Sequence, residues 1–367
     1  MKKYFTRTAV AALAAIAMTA SFLSVSAATK TETKAAETTK EDTKKEDTKK
    51  EDTKKDDAAA KLAEETKVAD ADAKTIKIKN EKYRVDYVGD VIYKQVFTPG
   101  SNVKLKMDML IPRLEDNKPA PVVVFVKGGG FTSMNLDGFM QQRMAVAEAG
   151  YAVVSVEHRQ VPAATFPASI IDVKEAIRFL RAHAKEYNLN TDKIGIWGDS
   201  SGGYAATMVA TSNGEKKFEE GTNLDQSSDV ACCIDFYGPT DLTTIGKGLG
   251  EEIEKGHESA STTEAMLVNG TAFGTNPGGS VMSNMEKADA ANPIKYIDKK
   301  DPAFLIFHGT EDVLVAPYES KILYQGLKDA GVAADLYYVE GGTHGGIDFY
   351  QPEIMDICIK FLDKNLK

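Results

Sequence analysis

Apolar and polar residues alternate in the first third of the foldable chain. Thr75-Ile76-Lys77-Ile78-Lys79 has period two, as does Val103-Lys104-Leu105-Lys106-Met107-Asp108-Met109, and both predict strands. Val85 to Phe97 predicts another strand or two between them. No helical pattern separates these segments, so they should form antiparallel strands at one edge of a sheet. After Pro121 the pattern changes. Val122 to Val126 is continuously apolar, as in a strand buried on both faces. Strand and helix patterns then alternate: helix from Phe139 to Ala149, strand from Tyr151 to Val156, helix from Ile170 to Lys185, strand from Ile194 to Trp197, helix over Ala205 to Ala210. Further strands are predicted at Val230 to Phe236, Ala303 to Phe307 and Ala334 to Val339, with helices at Tyr318 to Ala330 and Ile354 to Leu362. This alternation implies an α/β fold with a mostly parallel sheet covered by helices on both faces.

Residues 240–300 interrupt the alternation with a stretch rich in Gly, Ser, Thr and Asn. Ser261-Thr262-Thr263-Glu264 reads there as a capping box for a short helix. An insertion at this point belongs above the strand ends, either as one wall of a cleft or as a surface excursion.

The N-terminal residues have different patterns. In residues 1–27, Lys2, Lys3 and Arg7 precede the apolar run Ala9 to Met18, and Val25-Ser26-Ala27 offers a small-residue cleavage site. That order predicts a cleaved secretory signal, and the run is too short and Ala-rich for a retained anchor. Residues 28–73 are read as a solvated spacer, with a K-E-D-T-K repeat from Thr39 to Asp57 that has too little apolar surface to offset its ordering entropy. Charges of both signs within every repeat argue against a strong single-sign field for adhesion to a charged cell surface. Residues 74–367 are left as one large domain. The chain is expected to be exported, with no membrane span in its mature form. A net charge of −9 makes nucleic acid a poor partner. The three cysteines, Cys232, Cys233 and Cys358, lack framework spacing and read as buried thiols, with one bridge from Cys358 left open.

The stretch that carries chemistry is Gly198-Asp199-Ser200-Ser201-Gly202, between a predicted strand and a predicted helix. In that context G-x-S-x-G is a nucleophile elbow: it lifts Ser200 out of the sheet at a helix N-terminus and frees the Ser201 N–H to bind an oxyanion. A hydroxyl nucleophile needs a base and an orienting acid, in the chain order Ser, acid, His on such a fold. His257, His308 and His344 follow Ser200. His257 lies in the insertion, and His308 ends a buried strand and reads as a packed histidine near the site. His344, in the glycine loop Gly341 to Gly346, is assigned as the base. Upstream, His158 ends a strand and His183 reads as a surface position. Asp312, in the loop after the Ala303 to Phe307 strand, is favoured as the acid, with Asp241 as the competitor. Lys127-Gly128-Gly129-Gly130-Phe131 follows a strand and can turn backbone N–H groups toward a substrate. It lacks the G-K-[ST] of a phosphate loop and the G-x-G-x-x-G of a dinucleotide site. No metal-ligand spacing appears, and no cofactor is expected.

With these motifs in view, the chain from about Asn102 onward resembles α/β-hydrolase esterases of the hormone-sensitive-lipase-like group, and in particular bacterial carboxylesterases related to acetylxylan and feruloyl esterases. The resemblance rests on Gly128 to Phe131, Pro167 to Arg181, Gly198 to Gly203, His308 to Val315 and Gly341 to Gly345. It implies the α/β-hydrolase fold, Ser200, Asp312 and His344 as a triad, and Gly129, Gly130 and Ser201 as oxyanion donors. It also implies an ester substrate, acetyl or feruloyl, on plant polysaccharide. A serine peptidase and a non-catalytic binding protein on the same fold are the rival readings. One residue departs from the family pattern: Lys127 stands where the family has His. Its side chain has three destinations open to it: solvent, a carboxylate in a nearby loop, or the developing oxyanion.

Overall fold

The strand Ala120–Val126 (β3) shows why the apolar run was continuous. Val122, Val124 and Val126 belong to one buried cluster and Val123 and Phe125 to another, on opposite faces of the sheet. A computed structural model describes residues 74, 76–79, 81–98 and 101–367. The predicted signal and spacer lie outside the described residues. The chain divides into two compact units, Met1–Ile78 and Lys79–Lys367. Within the first, Ile76–Ile78 is not a strand, contrary to the alternating pattern, and neither is Lys79. Ile76 and Ile78 are 76% and 67% exposed. Two isoleucines supply too little apolar surface to hold a segment that has no paired neighbour. Thr75 lies outside the described residues.

The second unit is built on eight strands: Val85–Thr98 (β1), Ser101–Pro112 (β2), β3, Ala152–Val156 (β4), Leu189–Asp199 (β5), Cys232–Phe236 (β6), Ala303–Gly309 (β7) and Ala334–Val339 (β8). Their order is β1-β2-β4-β3-β5-β6-β7-β8. β1 and β2 are antiparallel, β2 joins β4 antiparallel, and the remaining pairs are parallel. The antiparallel edge is therefore N-terminal, as the uninterrupted strand pattern required. With helices on both faces this is the α/β-hydrolase fold. Helices Ala168–Ala182 (α2), Ser201–Thr211 (α3) and Pro317–Asp329 (α7) pack into the core on one face. Met140–Glu148 (α1) and Pro352–Leu366 (α8) cover the other. Cys232 and Cys233 point to opposite faces, and all three cysteines are free and buried. Among the described residues no helix is long and apolar enough to cross a membrane.

Between β6 and β7 the chain forms three short helices, Glu251–His257 (α4), Thr263–Asn269 (α5) and Met285–Ala291 (α6), joined by turns. The capping box expected from Ser261 and Glu264 does not form. Thr262 caps α5 by accepting from the Ala265 N–H, and Glu264 turns inward to His257 instead. A buried carboxylate gains more from a side-chain partner than from a solvent-exposed backbone N–H.

A charged cluster ties β1 to the body. Lys94 Nζ lies 2.6 Å from Asp172 and 2.7 Å from Glu175, both on α2. Arg159 grips Asp172 through Nε and Nη2, each at 2.8 Å. Asp172 is wholly buried, so removing its charge leaves Arg159 without a carboxylate and Lys94 with Glu175 alone. Asp172→Ala is expected to lower unfolding free energy by about 3–5 kcal/mol, measured by urea denaturation. A loss under about 1 kcal/mol would mean that the cluster is not part of what holds the edge strand.

Candidate active site

β5 ends at Asp199, α3 begins at Ser201, and Ser200 makes the whole turn with φ 52° and ψ −126°. A non-glycine residue in that region costs on the order of 1–3 kcal/mol and persists only where its surroundings enforce it. The surroundings are tight. A Cβ on Gly198 would sit 2.1 Å from the Gly202 carbonyl oxygen, and one on Gly202 would sit 2.0 Å from that of Val126. The Ser200 N–H donates to the Phe236 carbonyl at 2.8 Å, which fixes the turn to β6.

The fold brings three of the predicted residues into one line. His344 Nε2 is 2.8 Å from Ser200 Oγ, and His344 Nδ1 is 2.6 Å from Asp312 Oδ2. In this arrangement Nδ1–H donates to the carboxylate, leaving Nε2 to accept from the serine hydroxyl, a tautomer inferred from the network. Asp312 is fixed on its other side, where Oδ1 accepts from the Leu314 and Val315 N–H groups at 2.9 and 3.0 Å. Burial pushes its pKa up, but hydrogen bonds from His308 and His344 outweigh it and hold the carboxyl well below the usual range. Asp241, the competing acid, is not in the line. Its Oδ1 accepts from the Thr243 N–H and hydroxyl and from Asn292 Nδ2.

The glycine loop lies against the elbow. The Gly130 and Ser201 N–H groups form no hydrogen bond among the described residues. The third expected donor, the Gly129 N–H, is occupied by Ser201 Oγ at 2.9 Å. Lys127 takes the second of its three destinations. Its Nζ is 2.7 Å from Asp199 Oδ2, and the Gly128 N–H donates to Asp199 Oδ1 at 2.9 Å. Burial raises the Asp199 pKa, opposed by the Lys127 charge and these hydrogen bonds.

Around this line the cleft is lined on one side by the segment between β6 and β7. A cavity of about 70 Å³ touches Ser200 and Ser201 and is walled by Phe131, Leu314, Thr263 and Glu264. Among the described residues no group of His, Cys, Asp and Glu is arranged to hold a metal ion.

Residues 107–327 match the BD-FAE family. The chain belongs to that family. It is 29% identical over 256 residues to the esterase LipQ of Mycobacterium tuberculosis, covering 69% of this chain and 56% of LipQ. The chain spans about half the length of the curated relatives it matches. Among solved structures it is similar to a truncated carbohydrate esterase from gut microbiota, with TM-score 0.66, 26% identity, and coverage of 78% of this chain and 98% of that one. It is also similar to a bifunctional GH43-CE protein of Bacteroides eggerthii, with TM-score 0.65, 29% identity, and coverage of 80% and 36% respectively.

Two site contacts were not legible in the sequence, and a third residue, His308, was expected to pack near the site but without its partners. Tyr237 packs edge-on against the His344 ring at 4.8 Å between centroids. Buried His308 turns Nε2 toward the Val315 carbonyl at 2.9 Å and Asp312 Oδ2 at 3.3 Å, leaving Nδ1 to accept from the Ser320 hydroxyl at 2.6 Å. Glu264 faces the same cavity as Ser200. The position of Tyr237, directly after a parallel strand, was a usable signal, as was that of His308 at the end of one.

The Lys127–Asp199 pair is testable by a double-mutant cycle. Lys127→Met leaves a buried carboxylate unpaired and should cost about 3 kcal/mol of stability. Lys127→Met with Asp199→Asn should recover much of it, giving a coupling energy of about 2 kcal/mol by denaturant unfolding. Strict additivity of the two substitutions would contradict the ion pair.

Proposed function

We propose that this chain is a serine carboxylesterase. The observation that carries the reading is the hydrogen-bonded line from Ser200 through His344 to Asp312, at a strained turn beside two unpaired N–H groups. In the proposed mechanism Ser200 Oγ attacks the ester carbonyl as its proton passes to His344 Nε2. Asp312 holds the imidazole in the required tautomer and stabilises the imidazolium. The oxyanion is met by the Gly130 and Ser201 N–H groups, and by Gly129 once Ser201 Oγ rotates away. His344 returns the proton to the leaving alcohol. Water then attacks the acyl-enzyme, giving its proton to His344, and the acid departs as Ser200 regains its hydrogen.

The same proposal takes acetyl as the acyl group. A cavity of about 70 Å³ has room for roughly two water-sized groups, which suits an acetyl better than a feruloyl ring. A carbohydrate alcohol is supported by the similarity to the gut carbohydrate esterase. Export is proposed from the order of basic, apolar and small residues in 1–27. Protein recovered from culture medium should then have Ala28 as its N-terminal residue, and a chain still beginning at Met1 would refute processing.

Ser200→Ala should reduce p-nitrophenyl acetate hydrolysis by at least about 10³-fold with the fold intact by circular dichroism. Asp312→Asn should cost orders of magnitude in kcat, and Asp241→Asn little. Hydrolysis of an aminoacyl p-nitroanilide in preference to the acetate would replace the esterase reading with a peptidase. Near-normal turnover by folded Ser200→Ala would remove the mechanism altogether.

A further inference from the structure

Behind the cavity at Ser200 lies a second, of about 220 Å³, with Leu242, Val281, Met282 and Lys247 in its walls. The two cavities share two residues, Ile245 and His257. Ile245 is buried, and its carbonyl accepts from the Ala316 N–H at 2.8 Å, which anchors it to the loop that carries Asp312. His257 closes α4, and its Nδ1 is 2.7 Å from Oε1 of Glu264, itself buried on α5. The sequence predicted neither contact, because Ile245, His257 and Glu264 come from three separate parts of the segment between β6 and β7.

Resting on the esterase reading, we propose that Ile245 and His257 form a partition that sets the acyl length this site accepts, by closing off the larger cavity behind them. An acetyl fits in front of the partition. A longer acyl chain is directed toward the space beyond it, where Leu242, Val281 and Met282 supply apolar surface between the charged Lys247, Glu254 and Glu258. The two wall residues act differently. Ile245 blocks by volume, and its branched side chain has few rotamers in which to give way. His257 blocks by volume and polarity together. The hydrogen bond to Glu264 holds the ring in place and raises its pKa, which favours the imidazolium. An alkyl chain pressed against that ring would strip water from a polar, hydrogen-bonded pair without replacing it.

The choice of a polar pair for this wall has a structural logic. Glu264 lies almost wholly out of solvent on a helix of only seven residues, and needs a partner there. His257 supplies it from the neighbouring helix, so the pair also locks α4 to α5. A wall made this way cannot drift aside as a single aliphatic side chain could, because moving the ring breaks the hydrogen bond and strands a buried carboxylate.

The test is the ratio of kcat/KM for p-nitrophenyl hexanoate to that for p-nitrophenyl acetate, measured for the full chain and for Ile245→Ala and His257→Ala. A ratio within one variant is insensitive to the fraction of active protein. Each variant is expected to raise it by at least about tenfold over the unsubstituted chain, since even one methylene in an apolar pocket changes selectivity by 10-fold or more. Ile245→Val, which removes a single methyl group and preserves the buried packing, should raise the butyrate-to-acetate ratio severalfold and serves if the alanine variants fail to fold. An unchanged ratio in every variant that turns over acetate would overturn the partition. Absence of turnover on all p-nitrophenyl esters by the unsubstituted chain would instead be a failure of the esterase reading.

Discussion

The close approach of α3 to β3 is the constraint on which the site depends. The Gly202 Cα faces the Val126 carbonyl so closely that a Cβ there would overlap it. That contact forces the chain between β5 and α3 into a one-residue turn, and Ser200 takes the left-handed backbone that results. It has a second consequence. Val126 is the last residue of β3, so the loop leaving it, Lys127 to Phe131, is delivered alongside the N-terminus of α3. Helix, turn and glycine loop are thus assembled by one packing contact. The strain at Ser200 is stable because the sheet core on both sides of it is closely packed and cannot relax locally.

Charge then locks what packing assembled. Asp199 is buried directly before Ser200 and is shared by Lys127 and the Gly128 N–H. A buried carboxylate with no counterion would be driven to protonate. Lys127 opposes that shift, and the shared carboxylate ties the glycine loop to the elbow on a side-chain bridge. The ammonium also lies 5.0 Å from the centroid of Phe139, which adds a cation–π contact on its outer side. The lysine in place of the family histidine is therefore accounted for by a partner two strands away in the sequence. Its charge is spent on Asp199 rather than directed at an oxyanion.

The remaining wall comes from elsewhere in the chain. The loop carrying Asp312 is fixed at its far end to Ile245 through Ala316. Asp312 is oriented by two backbone N–H groups as well as by His344, so its position does not depend on the imidazole alone. The segment between β6 and β7 supplies the roof through the Glu264–His257 pair. A small cavity lined by two independently anchored loops is preorganised.

Much of this was written in the sequence because it depends on local pattern. Apolar periodicity determines which segments pair and which pack as helices, and it marked the strands from Val85 onward and the helices between them. The G-x-S-x-G stretch and the two glycine loops carry their backbone demands with them, so Ser200, Asp312 and His344 were nameable in advance from chain order and position at strand ends. Ile76 to Lys79 shows the limit of such reasoning: period-two alternation states a preference, but a strand exists only where another strand is available to pair with it. Partner choice was likewise beyond the sequence. That Asp241 caps its own loop, that Lys127 meets Asp199, that Glu264 leaves its helix cap for His257, and that Ser201 Oγ covers the Gly129 N–H are all matters of distance between residues far apart in the chain. Sequence periodicity constrains which face a side chain occupies; only the packed tertiary structure decides what it finds there.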